Sequence, residues 1–357
     1  MVLYCEAKDY SFPTVSSSLP HFTTMLNRRN ALKAIALGVV GASTGTWLNA
    51  QESPRRGGLL RRPAARQAEN SQTRPLRLGA AQLHITDTDL DEWAQRVVDR
   101  RFSAVNPPRS VTLNDKERIK AFLEVVKKHD LLVAEVGRWV NLMDADPKKR
   151  EENIKFVTEG LALAEELGAC CCVDIAGSFS MEHWAGPHPK NVSREFFDLA
   201  VENARKIIDA VNPKRTKFAY EMMGWALPDT ADSYLRLIRA IDRPGFGVHL
   251  DIANMINSPD KFWNNTRLIN DAFDKLGPMI TSAHFKDLRW VVPEYNVRFD
   301  ECVIGEGEID FATYLKRMAA LPGDVPLIIE HMKNAEEYDR CRDHLFKVGE
   351  SVGIAFA

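Results

Sequence analysis

The feature that most constrains this chain is an alternation that repeats eight times. From Leu76 onward, short apolar runs are each followed by a longer amphipathic segment. The expected strands are residues 77–85, 102–106, 131–137, 171–177, 217–221, 246–251, 280–285 and 325–330. The expected helices span 89–101, 115–130, 150–169, 194–211, 229–242, 267–277, 311–321 and 335–353. In the second of these, Ile119, Phe122, Leu123 and Val126 fall on one helical face. Ser193 before 194–211, and Asn114 and Asp115 before the second helix, are the residue types that cap helix starts. Strands separated by helices pair in parallel. Eight units over about 280 residues match a closed (β/α)8, or TIM, barrel, which takes about 250. An open doubly wound sheet is the competing architecture, but it calls for a Gly-rich turn after the first strand, where the chain has Leu83-His84-Ile85-Thr86. We therefore expect one catalytic barrel domain over 77–357.

The segment before the barrel differs in kind. Residues 1–76 hold ten Lys/Arg against four Asp/Glu, a surplus of +6, so a net charge of −2 leaves −8 on the rest. An acidic body lacks the basic face that nucleic acid requires. Arg28-Arg29 and Lys33 precede a small apolar run, Ala34 to Ser43, and the stretch ends in small residues at Ala50. This pattern describes an export signal of the twin-arginine type over 1–50, with Met25 as a start that leaves a short charged region. The run is shorter than the roughly 20 residues a membrane span needs, so no stable insertion is expected. Residues 51–76, rich in Arg, Pro, Gly and Gln, read as a disordered linker. The expected location is then periplasmic or otherwise extracytoplasmic, and cytoplasmic if the Arg-Arg pair is fortuitous. Six cysteines contain no CxxC pair, and Cys170 to Cys172 read as small buried hydrophobes.

Four of the expected strands end in groups that bind metals. Glu221, Asp251, His284 and Glu330 close strands five to eight, at spacings of 30, 33 and 46 residues. In a closed barrel these strands are neighbours, and their carboxyl ends meet at the mouth where barrel active sites lie. Three carboxylates there would repel and lose hydration, and some would take up protons unless a cation compensates. Three oxygen donors and one imidazole suit Mn, Mg or Co, and Zn falls within their range. Each residue alone would read as a satisfied polar group; four at equivalent places in consecutive units would not.

With these residues in view, the chain resembles the xylose isomerase-like barrels, the sugar phosphate isomerases and epimerases. The resemblance runs from about Leu76 to the end and rests on YEMMGW (220–225), VHLDIANM (248–255), AHFKD (283–287), GEGEIDF (305–311) and PLIIEHM (326–332). It implies metal ligation by Glu221, Asp251, His284 and Glu330. In the epimerase branches Glu221 and Glu330 also form the acid/base pair. One departure is Asn254, where many epimerases carry histidine; it hydrogen-bonds a hydroxyl but shuttles no proton near neutral pH. The export pattern also fits poorly with phosphorylated substrates.

The expected activity is a metal-dependent isomerase or epimerase of a sugar or keto-sugar, moving a proton through an enediolate between two glutamates. A keto-polyol dehydratase on the same site and a non-catalytic exported sugar-binding protein are the alternatives. A nuclease on the same barrel would need more histidines than the nine present. Substrate contacts are expected from Asn254, Lys286, Arg289, Trp184, His188 and Trp225. Lys286 shares the parity of His284 and so faces the mouth; Arg289 opens a long loop before the eighth strand. His249, one layer below Asp251, reads as a packed neighbour of the ligands, and Glu135 and His84, near the ends of the third and first strands, as surface or structural groups in preference to pocket residues. Gly305 and Gly307 suit a tight turn, with Asp310 capping the helix after it. The partner class is a small carbohydrate; the pattern is compatible with an oligomer and does not specify one.

Overall fold

The eight expected strands all form, and they close. The computed structural model describes residues 74–83, 85–292 and 296–357, which lie within one unit, Ala68–Ala357. The export pattern over 1–50, most of the expected linker, and His84 lie outside the described residues.

The staves of the barrel, in order, are Leu78–Ala80, Ala104–Val105, Leu132–Val133 continued by Glu135–Gly137, Cys171–Asp174, Lys217–Tyr220, Val248–Asp251, Ile280–Phe285 and Leu327–Ile329. Neighbours pair in parallel, with Leu78 opposite Leu327, Gly79 opposite Ala104, and Ala104 opposite Leu132. The third stave is interrupted at Ala134: its first half pairs with the second stave and its second half with the fourth. Parallel bridges at Phe218–Phe246 and Glu221–His249 join the fifth stave to the sixth and complete the ring. A closed parallel sheet leaves no edge, and because both its faces are covered its strands read as continuous apolar runs.

The helices begin where their caps are. Asp89, Asp115, Asp146, Ser193, Thr230, Asp310 and Asn334 each accept a backbone N–H of the first turn. The third helix starts at Pro147, three residues before the sequence pattern places it, because Asp146 caps it and Pro147 takes the first-turn position that proline favours. Among the described residues, no helix is long and apolar enough to cross a membrane. Cys171 and Cys172 are buried, and burial pushes the Cys170 thiol up to about 12.

The region before the eighth stave is not the extended loop the sequence suggests. Asp287–Trp290 and Phe299–Cys302 pair antiparallel, with Asp300 opposite Arg289. This ribbon folds back because the buried Asp287 carboxylate accepts the backbone N–H groups of Leu288, Gly305, Gly307 and Ile309. Gly307 is required there: a Cβ would lie 2.3 Å from Asp287 Oδ1. Asp287, the last residue of AHFKD, thus anchors the segment that walls one side of the mouth.

Candidate metal centre

The strand-end residues converge. Donor atoms of Glu221, Asp251, His284 and Glu330 all lie within 4.8 Å of one another. His284 Nδ1 stands 3.1 Å from Glu221 Oε1, 3.0 Å from Glu330 Oε2 and 3.9 Å from Asp251 Oδ2. All four residues are buried; the most exposed, Glu330, is at 8%. Adjacent staves deliver them, since Asp251 pairs with His284, and Ile329, one residue before Glu330, pairs with Phe285.

Lys286 is central where sequence parity only aimed it at the mouth. Its Nζ lies 2.7 Å from Asp251 Oδ2, 2.9 Å from Glu330 Oε2 and 3.5 Å from Glu221 Oε1. Asp251 Oδ2 and Glu330 Oε2 nevertheless accept no well-directed hydrogen bond. Such oxygens, with a third carboxylate and an imidazole beside them, form a donor set that fits a divalent cation.

The electrostatics express the same shortage of positive charge. Burial raises the Glu221 and Glu330 carboxyls, but His284 and Lys286 overcome it and hold both below the usual carboxylate range. Asp251 moves the other way, pushed up by burial, with Glu221 adding to the shift. Burial opposes the protonated forms of His284 and Lys286, yet the surrounding carboxylates hold both well above their ordinary values.

Glu135, which the sequence left as a surface or structural group, is fully buried one layer below. Its Oε2 lies 3.3 Å from His284 Nε2, and its Oε1 accepts from Ser282 Oγ at 3.1 Å. A carboxylate on Nε2 fixes the imidazole so that Nδ1 faces the other donors, an arrangement common behind metal-binding histidines. His249 Nε2 also stands 3.3 Å from Glu135 Oε2 but off the hydrogen-bond direction, and its ring meets that of His284 edge-on at 4.1 Å. It packs behind the donors, as its parity implies.

Asn254 points into the site, donating through Nδ2 to Glu221 Oε1 at 3.1 Å and accepting from Lys286 Nζ at 3.4 Å. Trp184 and Trp225 line a cavity of about 360 Å³ over the cluster, and Trp225 Nε1 donates to the Ala185 carbonyl at 2.6 Å. That volume suits a small ligand. Two expected contacts lie elsewhere. His188 caps the short helix Pro189–Val192, its Nδ1 accepting from Lys190 N. Arg289, on the ribbon, lines a second cavity of about 250 Å³.

Three cavity residues were not singled out from sequence. Trp139 Nε1 donates to Glu221 Oε2 at 2.7 Å. It folds back over the mouth only because residue 137 is glycine; a Cβ there would lie 2.0 Å from the indole. The signal was present, a Gly-x-Trp directly after a strand. Glu301 comes from the ribbon and His331 from the residue after Glu330, and they meet at 2.8 Å through Glu301 Oε2 and His331 Nδ1. That hydrogen bond, first among the influences on it, raises the His331 pKa.

A family profile described as the xylose isomerase-like TIM barrel matches residues 91–347. No curated protein matches the chain. Among solved structures, a xylose isomerase domain protein from Planctomyces limnophilus is 18% identical with a TM-score of 0.56, covering 78% of this chain and 98% of its own. D-psicose 3-epimerase from Clostridium cellulolyticum H10, solved with D-tagatose, is 14% identical at 0.56, covering 78% and 100%. A xylose isomerase-like TIM barrel protein from Mycobacterium smegmatis, solved with magnesium, is 14% identical at 0.52, covering 78% and 97%. At these identities the structural likeness concerns the fold.

Proposed function

The chain belongs to the xylose isomerase-like TIM barrel family, and from that premise we propose that it is a divalent-metal-dependent isomerase or epimerase of a sugar or keto-sugar. The observation that carries this reading is the convergence of Glu221, Asp251, His284 and Glu330 within 4.8 Å beneath a cavity lined by Trp139, Trp184 and Trp225. An ion held by those four, whether Mn, Mg, Co or Zn, would supply Lewis acidity toward a carbonyl and the neighbouring hydroxyl of the sugar.

The chain's own groups account for the rest. Glu221 and Glu330 come from the outer staves of the four and flank the bound sugar. One carboxylate takes the C–H proton beside the carbonyl, leaving an enediolate. The other returns a proton to the opposite face, which epimerises, or to the neighbouring carbon, which isomerises. Trp139 and Asn254 each hold one oxygen of Glu221, which fixes the direction of its remaining lone pairs. The Lys286 ammonium places a buried positive charge beside the oxygen that becomes negative. The tryptophans offer flat apolar faces to the C–H side of a sugar and exclude water. For the substrate, the reading favours an unphosphorylated keto-sugar or glycoside derivative, and for the location an extracytoplasmic one, both on the strength of the Arg28-Arg29 pattern. Amino-terminal sequencing of the exported protein would test the location.

The decisive experiment incubates the metal-loaded protein with ketoses and oxidised glycosides in D2O and follows them by NMR. Deuterium entering a sugar of unchanged formula supports epimerisation or isomerisation. An enone or diketone assigns the site to dehydration. Exchange at no sugar C–H overturns proton-transfer chemistry and leaves a sugar-binding protein. Glu330→Gln should lower turnover by at least about 100-fold, the lower range for a general base.

A further inference from the structure

The cavity over the metal donors does not end at its own wall. Glu301, His331 and Met332 line both the 360 Å³ cavity and the 250 Å³ cavity beside it. The first already exceeds the roughly 300 Å³ at which small-ligand pockets begin, so the second is space beyond what one reacting ring needs. The wall is built rather than incidental. His331 holds a positive φ of 62°, a conformation that costs a non-glycine residue energy and that the fold imposes directly after Glu330. In that conformation its Nδ1 meets Glu301 Oε2 at 2.8 Å, while its Nε2 stands 3.5 Å from Glu330 Oε2. The partition therefore joins an element of the barrel to the ribbon anchored by Asp287.

The second cavity has a particular chemistry. Two of its charges are paired, Glu301 with His331 and Arg340 with Glu306, and the Glu337 carboxylate accepts the backbone N–H of Lys333. Among the described residues, neither the Arg289 guanidinium nor the Lys333 ammonium has a hydrogen-bond or ion-pair partner, and Arg289 comes from the ribbon. Cys302, Val303 and Met332 add an apolar surface. Paired charges and free donors over an apolar patch present donors and acceptors side by side. That is the complement of a neutral polyhydroxylated ring, whose hydroxyls bond to both signs while its C–H face packs on apolar atoms.

Resting on the sugar-site reading above, we infer that the substrate is a glycoside of two rings. The reacting ring sits over Glu221 and Glu330, the second ring occupies the cavity at Arg289, and the Glu301–His331 pair contacts the linkage between them. Binding, measured without turnover, tests this. The full-length, metal-loaded protein is titrated with methyl β-D-glucoside and with cellobiose, read by calorimetry and by the fluorescence of the mouth tryptophans. Cellobiose should bind about tenfold more tightly, equivalent to 1.4 kcal/mol. In Arg289→Ala and in His331→Ala the ratio should fall toward one, and His331→Gln, which keeps a donor at the partition, should recover part of it. Equal affinity for the two probes in the unaltered protein, or binding of neither, overturns the inference, as does a ratio that survives both alanine variants. Because the ratio needs no chemistry, a chain that prefers cellobiose yet exchanges no sugar proton in D2O would keep the two-ring site and lose the enzymatic reading.

Discussion

Glu135→Gln isolates the layer beneath the metal donors. Glu135 lies 3.3 Å from His284 Nε2 and touches none of the other three donors by hydrogen bond. A hydrogen bond to a charged group contributes about 1.5–3 kcal/mol. At 3.3 Å this one belongs at the low end, about 1.5 kcal/mol, which is just over tenfold in affinity. That agrees with the 10- to 100-fold losses typical when a carboxylate behind a metal-binding histidine is removed. Glutamine keeps the volume and one acceptor, so the barrel should still fold. The first assay is calorimetric titration of the metal-free protein with Mn, where the dissociation constant should rise about tenfold. The second is thermal unfolding. At metal equal to 100 dissociation constants of the unaltered protein, the stabilisation is about 2.7 kcal/mol, and tenfold weaker binding leaves about 1.4. The difference should appear as a metal-induced gain in Tm about 3 °C smaller in the variant. A folded Glu135→Gln protein with an unchanged Mn constant and an undiminished gain in Tm would refute the claim that Glu135 orients His284 for a metal.

Four further outcomes follow from the same geometry. Lys286→Met should destabilise the metal-free protein by about 3–5 kcal/mol, the usual cost of leaving buried carboxylates uncompensated, and added Mn should restore most of the lost Tm. Metal binding should release a proton and tighten with pH, because the carboxylates hold protonated His284 well above its ordinary pKa while ligation through Nδ1 requires that nitrogen free; calorimetry in buffers of different ionisation enthalpy counts the proton. In the metal-free protein the contribution of His284 is fully present below its unfolded value, about 6.5, and lost as pH rises through the raised one. The contributions of Glu135, Glu221 and Glu330, all held low, are present above about 4.3 and lost as pH falls, with raised Asp251 blunting that limb. A metal-free Tm that does not fall on both sides of this window would contradict the assignment. Finally, Trp139→Phe, which removes the N–H held on Glu221, should cut turnover about tenfold with little loss of stability, and Gly137→Ala, which displaces the indole, should match it in a kcat assay.

What the sequence disclosed and what it withheld divide along a physical line. Buried parallel staves read as apolar runs, so all eight were visible, even the two-residue Ala104–Val105. A strand's last residue has its position fixed by the barrel, so the convergence of Glu221, Asp251, His284 and Glu330 followed from topology alone. Parity placed Lys286 and His249 on the correct sides. The misjudged groups depend on geometry the chain reaches only through other segments. Glu135 ends no continuous run, because the third stave breaks at Ala134, and its partners come from the seventh and sixth staves. Trp139 depends on the space left by the missing side chain at Gly137, and Glu301 on a ribbon held by four backbone bonds to Asp287. Arg289 and His188 lie on the mouth side of the sequence pattern, yet pairing in the ribbon and capping of a short helix place them outside the donor cavity. No alternation of apolar residues encodes those paths.

The charge count explains why such a site belongs on a closed barrel. Glu135, Glu221, Asp251 and Glu330 are four buried carboxyls around two cationic groups, Lys286 and protonated His284. The surplus of two negative charges, in a region nearly without water, drives Asp251 toward protonation and holds His284 charged. A divalent cation cancels that surplus. If it also displaces the His284 proton, the cluster returns to one net negative charge, which leaves a basic carboxylate available to a substrate proton. An open sheet would let water screen the same residues and weaken the coupling among them. The ring of staves excludes that water, so metal affinity, the protonation of His284 and the basicity of the glutamates become one linked equilibrium, and a change at Glu135 must be felt at Glu330 even though no hydrogen bond joins the two.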